Sequence, residues 1–497
     1  MATQVLDLHD LRTPKRGFEE RDQPENELID ACVRCGFCLT SCPTYVETRK
    51  ETSSPRGRIY LMKAVSEGRL DILSDGFVEQ MYECLDCRAC EAVCPSGVQY
   101  GKLVEPARTQ IERRLQRPLW QRAVRTLTFK GLFGDLRLFR AMSTVFKVYQ
   151  KSGAQWLVRS SGVLKPFGLD EMEGFLPKMS GRFFVPEGQS YEAIGPQRAR
   201  VALFGGCIMG TAFARVNRAT ARVLTRNGCE VIVPADQGCC GALNVHAGDL
   251  DSGRTLMKRN IEAFEALDVD AIIINAAGCG SNLKEYGHVL HDEPEWAARA
   301  AAFSAKVQDI SEYLAKLGLV GELGEIKARV TYQDACHLAH AQRITQQPRD
   351  LLKAIPGVQL VEMNESSLCC GSAGVYNITQ PEMSGRLMKR KAKNALATQP
   401  EIIISANPGC MIQLATGLQR EGAEGIKVRH LVEMLDESYR RAEGANTRRR
   451  IRPDRRPSQR SKATATTSHE AAVEDKSRGE GATGNVMGMD AQAVSRR

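Results

Sequence analysis

The sequence predicts an α/β protein in which a small α-helical domain with two dense cysteine runs precedes two duplicated parallel-sheet domains. Three observations predict it. Two runs of the form C-x2-C-x2-C-x3-C-P lie between Cys32 and Pro95. The tripeptide Cys-Cys-Gly occurs at Cys239–Gly241 and again at Cys369–Gly371. Around each tripeptide, strand-length apolar runs alternate with amphipathic helical stretches, the pattern of a parallel sheet with helical crossovers.

The chain of 497 residues has room for several cores. Its longest apolar runs, such as Ala271–Asn275 and Glu401–Ala406, are strand-length and fall far short of the ~18 residues of a membrane helix. The N-terminus carries acids early and lacks an apolar signal core, so a cytoplasmic location is expected, with the inner face of the cytoplasmic membrane as a peripheral alternative. The net charge of +9 is concentrated: residues 441–497 hold 13 Lys/Arg against 7 Asp/Glu. Without that tail the body is near neutral, and no nucleic-acid partner is expected. The tail itself, rich in Ser, Thr, Ala and Gly, reads as a basic disordered extension. Seventeen cysteines without a secretory signal favour metal binding or redox chemistry over disulfides.

The first run, CVRCGFCLTSCP, places Cys32, Cys35, Cys38 and Cys42; the second, CLDCRACEAVCP, places Cys84, Cys87, Cys90 and Cys94. This is the ligand run of two-cluster ferredoxins. Three thiolates three residues apart wrap three corners of a cubane, and the fourth, followed by Pro, is directed to the neighbouring cluster. The swap assigns Cys32, Cys35, Cys38 and Cys94 to one [4Fe-4S] cluster and Cys84, Cys87, Cys90 and Cys42 to the other. Zinc is the competing reading, but structural zinc sites pair separated C-x2-C knuckles rather than complete four-cysteine runs. Between the runs, Ser53–Gly68 reads as a turn and an amphipathic helix. Its Arg56 and Arg58 belong beside a cluster, against a partner, or in a solvated turn.

From Arg117 to Lys165 the chain holds ten Lys/Arg and one acid, Asp135, interleaved with aromatic residues. Apolar positions recur at helical intervals, so this stretch reads as a basic helical connector that packs on the body or lies on a membrane or acidic partner.

The two following stretches are copies. Cys207, Cys239, Cys240 and Cys279 are matched by Cys336, Cys369, Cys370 and Cys410, at intervals of 129, 130, 130 and 131 residues. In each copy a strand leads to the first cysteine, a second strand to the Cys-Cys-Gly, and a buried apolar strand to the last cysteine. All four therefore sit on loops at the carboxyl edge of a sheet, where ligands gather in open α/β folds. Gly241 and Gly371 allow the backbone to bend close to a bulky group there. The shared register favours metal or redox chemistry over eight structural thiols. His337, beside Cys336, reads as local packing, with ligation or hydrogen-bond donation as alternatives. The resulting organisation is 1–25, N-terminal tail; 26–115, two-cluster domain; 116–197, connector; 198–322 and 323–438, Cys-Cys-Gly domains; 439–497, basic tail.

With RCGFCLTSCPTY, SPRGRIYLMK, CRACEAVCPSGVQY, GCGSNLKEYG, LCCGSAGVYNI and SANPGC in place, residues from about 30 to 435 resemble the iron–sulfur subunits of flavin-dependent hydroxyacid oxidation. The glycolate oxidase iron–sulfur subunit family is the nearest resemblance. It implies two [4Fe-4S] clusters, FAD on partner flavoprotein subunits that oxidise glycolate to glyoxylate, and onward transfer of electrons toward quinone or the membrane surface. No catalytic residue is implied in this chain, and no Rossmann-type dinucleotide-binding loop, with a strand before it and a helix after it, is expected. Related subunits serve lactate or glycerol-3-phosphate dehydrogenases, and heterodisulfide reductases perform thiol chemistry with a Cys-x-x-Cys at the end of the motif. Here Asn282 and Gln413 stand where that last cysteine would be. The resemblance thus leaves one or two further iron–sulfur clusters in the Cys-Cys-Gly domains as an expectation, with Cys207, Cys239, Cys240, Cys279, Cys336, Cys369, Cys370 and Cys410 as ligands. A redox sensor with a functional basic tail is a third reading.

Overall fold

A computed structural model describes residues 16–179 and 181–451. The basic-tail expectation falls largely on residues 452–497, outside the described residues.

The N-terminal region is helical: α1 (Asn26–Asp30), α2 (Pro43–Thr48), α3 (Pro55–Ser66), α4 (Asp75–Glu83), α5 (Ala89–Ala92) and α6 (Gly101–Arg114). The Ser-Ser-Pro turn starts α3 as such a sequence should. Ser54 caps it by accepting a hydrogen bond from the Gly57 amide at 3.0 Å, and Pro55 takes the first helical position. Met62, Val65, Ile72, Phe77, Met81, Leu103 and Ile111 form a core of its own. The chain before residue 26 joins it. Phe18 packs edge-on to Phe77, and the Arg254 guanidinium of the first repeat donates to Asp22 at 3.0 Å.

The basic stretch forms α7 (Leu119–Arg125), a π-helical turn (Thr126–Leu132), α8 (Leu136–Lys151) and α9 (Ala154–Ser161).

The first sheet contains β1 (Ser190–Tyr191), β2 (Ala199–Leu203), β3 (Cys229–Ile232), β4 (Ala271–Ile274) and β5 (Val307–Asp309), in the order β1-β3-β2-β4-β5. The second contains β6 (Ala328–Gln333), β7 (Val358–Glu362), β8 (Ile402–Ser405) and β9 (Lys427–Arg429), in the order β7-β6-β8-β9. Apart from the antiparallel edge strand β1, all pairings are parallel, and the two copies share one strand order. β4 and β8 are buried along their whole length, which is why they read as uninterrupted Ile runs. Each copy gains a fourth strand, β5 or β9, too short to announce itself by alternation. Two elements cross the expected boundaries. β1 lies inside the connector, and the helix Leu431–Ile451 runs past residue 438, with Tyr439 buried and its hydroxyl 3.2 Å from Asn227 Oδ1.

Candidate functional site

The two cysteine runs fold into two loops with the same backbone. In the first, Arg34 and Gly36 have φ of 56° and 87°; in the second, the matching Asp86 and Arg88 have φ of 50° and 55°. A left-handed residue before and after the second cysteine of each run turns the chain inward, so successive sulfurs face one point. Cys42 and Cys84 sit at helix boundaries, preceding α2 and ending α4. The loops enclose two adjoining cavities. Cys32, Cys35, Cys38 and Cys94 line the first, and Cys42, Cys84 and Cys87 the second; Cys90 and Tyr100 line both. Each cavity thus combines thiols from both runs, and this donor set fits a cubane cluster. The first opens to the surface at the exposed Cys35, whereas Cys42, Cys84 and Cys87 are buried.

Two arginines from the intervening segment pack beside these cavities. Arg56 lines the first, donates to the Arg34 carbonyl at 3.0 Å and pairs with Glu51 at 2.7 Å. Arg58, 1% exposed, lines the second. It donates to Thr44 Oγ1 at 3.1 Å, the Gln80 carbonyl at 2.8 Å and Glu83 at 3.0 Å. Burial penalises its charge, yet the neighbouring acidic groups hold the guanidinium firmly protonated. A fixed positive charge here favours whichever state of the site carries more negative charge.

In both repeats the four cysteines converge at the carboxyl edge, as their register requires. Cys207 and Cys239 Sγ atoms lie 3.8 Å apart, and Cys370 and Cys410 share one buried cluster. The two Cys-Cys-Gly glycines adopt φ of 84° and 88°. A Cβ on Gly371 would stand 2.8 Å from the Ser384 carbonyl oxygen, and one on Gly241 would stand 3.3 Å from that of Gly253. The glycine therefore admits the close approach of a long helix, Leu250–Glu265 or Pro381–Ala397, as well as the turn, a packing demand that spacing does not reveal. Asn282 and Gln413, at the positions of the missing fifth cysteine, are scaffolding. Asn282 donates to the Cys240 carbonyl at 2.7 Å, and Gln413 donates to Ser384 Oγ at 2.9 Å.

The edges of the two repeats face each other. The Ala277 amide donates to the Ala406 carbonyl at 3.0 Å, and the Gly278 amide to Asn407 Oδ1 at 3.1 Å. The second repeat also lies against the second cavity. Leu85, Cys87 and Ala89 pack with Cys369, Tyr376, Met383 and Leu387, and Cys336 joins this group. Tyr376 donates to the Glu83 carbonyl at 2.8 Å, and Arg343 spans the Glu91 and Ala92 carbonyls at 3.0 Å each. His337 is a hydrogen-bonding residue reaching another domain, with its Nε2 2.8 Å from the Asp86 carbonyl oxygen. Burial and the neighbouring His246 push its pKa down to about 4, so the imidazole is neutral and donates.

Behind this contact lies a charged junction that the sequence reading missed. Arg88 pairs with Glu285 of the first repeat, and His246 Nδ1 donates to Glu105 at 2.8 Å. Asp86, His246 and His337 bring one polar atom each to within 4.8 Å of one another. Burial alone would raise the pKa of Asp86, but His246 and Arg88 hold its carboxyl well below the usual range. Burial pushes Glu105 up to about 7. His246 rises to about 9, because the carboxylates of Asp86 and Glu105 outweigh its desolvation. The imidazolium and Arg88 already answer the acids. Gly101 belongs to the same arrangement, since a Cβ there would stand 2.5 Å from Arg88 Nε. The available signal was Arg88 itself, a bulky residue at the position where the first loop uses Gly36.

Comparison with known proteins agrees with this layout. Residues 28–98 match a 4Fe-4S dicluster domain, and residues 201–284 and 330–415 each match a cysteine-rich domain. Residues 120–176 match the linker region of the glycolate oxidase iron-sulfur subunit. The chain is 45% identical over 429 residues to a "Probable glycolate oxidase iron-sulfur subunit" of Bacillus subtilis, covering 85% of this chain and 96% of that one. It is 33% identical over 448 residues to the glycolate oxidase iron-sulfur subunit of Escherichia coli, covering 88% and 99%. A "Lactate utilization protein A" of Oceanobacillus iheyensis is 32% identical over 238 residues, which cover 48% of this chain and 96% of that one.

Proposed function

Because the chain belongs to the glycolate oxidase iron–sulfur subunit family, we propose that it carries electrons from flavin on partner subunits toward quinone as glycolate is oxidised to glyoxylate. It is a subunit of an oxidoreductase complex, and its dicluster domain implies two [4Fe-4S] clusters. Those clusters supply one-electron acceptors that bridge a two-electron flavin and the next carrier.

The observation that carries the reading is the pair of adjoining cavities, each drawing thiols from both runs. Cys32, Cys35, Cys38 and Cys94 hold one cluster, and Cys84, Cys87, Cys90 and Cys42 the other. Arg58 fixes positive charge beside the buried site, and Leu85 and the second repeat keep water from it. The eight cysteines of the repeats, gathered in two sets of four, hold one or two further clusters. Asn282 and Gln413 are spent on main-chain and side-chain scaffolding, which speaks against disulfide-reducing chemistry at a five-cysteine site.

The test is anaerobic purification of the chain alone and together with its flavoprotein subunits. Glycolate-dependent dye reduction is expected only from the assembly; the same activity from the chain alone would overturn the reading. Iron content distinguishes two clusters, about eight Fe per chain, from the loaded repeats, about twelve to sixteen.

A further inference from the structure

We propose that the outer face of α7, α8 and α9 docks on the surface of an anionic lipid bilayer. A helix on a protein surface ordinarily turns one apolar stripe to the core and polar residues to water. α8 departs from this. Leu136 and Ser143 are buried and Phe139 and Phe146 pack against the core, yet the opposite side carries Leu138, Met142, Val145 and Val148, all exposed. Trp120, Val124 and Leu127, at helical spacing through α7 and into the π turn, are exposed as well; Trp120 is 66% accessible. On α9, Trp156 is 72% accessible with Leu157 beside it. The first two stripes adjoin. Both Leu127 and Leu138 approach the open face of Gly131, at 3.5 and 3.9 Å from where a Cβ would stand. Isolated exposed apolar residues need no explanation, but adjoining stripes on successive helices mark an interaction surface.

Charge selects the occupant. Between Arg117 and Lys165 there are ten basic residues and one acid, Asp135, which is spent capping α8 by accepting from the Arg137 amide at 2.7 Å. Arg122 and Lys130 line a cleft with Asp249 and Asp251 of the first repeat, whereas Arg137, Arg140, Lys151 and Lys165 form no ion pair with a described residue. Apolar stripes edged by unpaired cations and tryptophans fit a bilayer interface, where rings lie at headgroup depth and cations meet phosphates. None of the described helices is long and apolar enough to cross a membrane, so the contact is peripheral. This inference does not depend on the route of electrons through the chain.

The test uses the full cluster-loaded chain and vesicles of phosphatidylglycerol with phosphatidylcholine, against vesicles of phosphatidylcholine alone. Sedimentation with the anionic vesicles is expected, weakening as salt rises from about 0.1 to about 0.5 M. Replacing both Trp120→Glu and Trp156→Glu should lower the bound fraction roughly tenfold, with the iron–sulfur absorbance unchanged as a check on folding. Lipids brominated on the acyl chain should quench tryptophan fluorescence. Binding without quenching would assign the contact to the tryptophan-free basic tail and overturn the proposal. It would equally be overturned if the double variant bound vesicles normally but lost its flavoprotein subunits, which would make the face a protein interface.

Discussion

His337 Nε2 lies 2.8 Å from the main-chain carbonyl oxygen of Asp86, so a hydrogen bond joins the residue after Cys336 to the residue before Cys87. The two loops it ties belong to different domains, and the bond adds to the apolar packing of Cys336 and to the contacts of Arg343 and Tyr376 with the same run. His337→Ala leaves a buried carbonyl short of a donor, at a cost of roughly 1–3 kcal/mol. His337→Gln, which keeps a donor, should recover part of that. Denaturant unfolding monitored at the cluster absorbance measures both.

The proposed crossing of the two cysteine runs makes a prediction in iron. Cys42→Ser combined with Cys87→Ser strikes a single cavity and should remove about four Fe, no more than either change alone. Cys42→Ser combined with Cys38→Ser strikes both cavities and should remove about eight. If the pairs behaved in the opposite way, each run would hold its own cluster.

The Cys-Cys-Gly glycines should differ in their tolerance of alanine. Gly371→Ala combines a left-handed φ of 88° with a 2.8 Å approach to the Ser384 carbonyl oxygen, a backbone atom that cannot swing aside. Strain and overpacking together should cost roughly 2–4 kcal/mol. Gly241→Ala has similar strain but a 3.3 Å approach to Gly253, and should cost about 1–2 kcal/mol. Unfolding of the two variants by urea gives the difference.

The pH dependence of the junction follows from His246. Its pKa in the folded chain, about 9, exceeds the ordinary 6.5, so the folded state holds its proton more tightly. The stability it contributes is fully present below pH 6.5 and is lost as pH rises through about 9. The difference corresponds to about 3 kcal/mol at most. His246→Gln should flatten the alkaline limb of a stability-against-pH curve and leave the region below about pH 6 nearly parallel to that of the wild type.

What could be read from sequence and what could not divide along a physical line. The cysteines of each run are marked by spacing within a dozen residues, and the repeat by four cysteines in register, so both are local or periodic signals. The partners of Arg88 are neither. Glu105 and Glu285 stand 17 and 197 residues away, and nothing in their neighbourhoods marks them. The same holds for Tyr376, whose hydroxyl finds Glu83 from 293 residues away. Strands β5 and β9, three residues each, carry too few positions for an alternating pattern to stand out. The two-residue edge strand at 190–191 and the helix that continues past residue 438 owe their place to tertiary contact, not to composition.

The two repeats share one strand order and one cysteine register, yet only the second sets its Cys336 and Cys369 against the loop of Cys87. A pseudo-symmetric pair that grips an asymmetric neighbour cannot stay equivalent. Identical thiol sets then experience different fields and different access to water, so duplication here creates two unlike thiol environments rather than a spare copy of the same part.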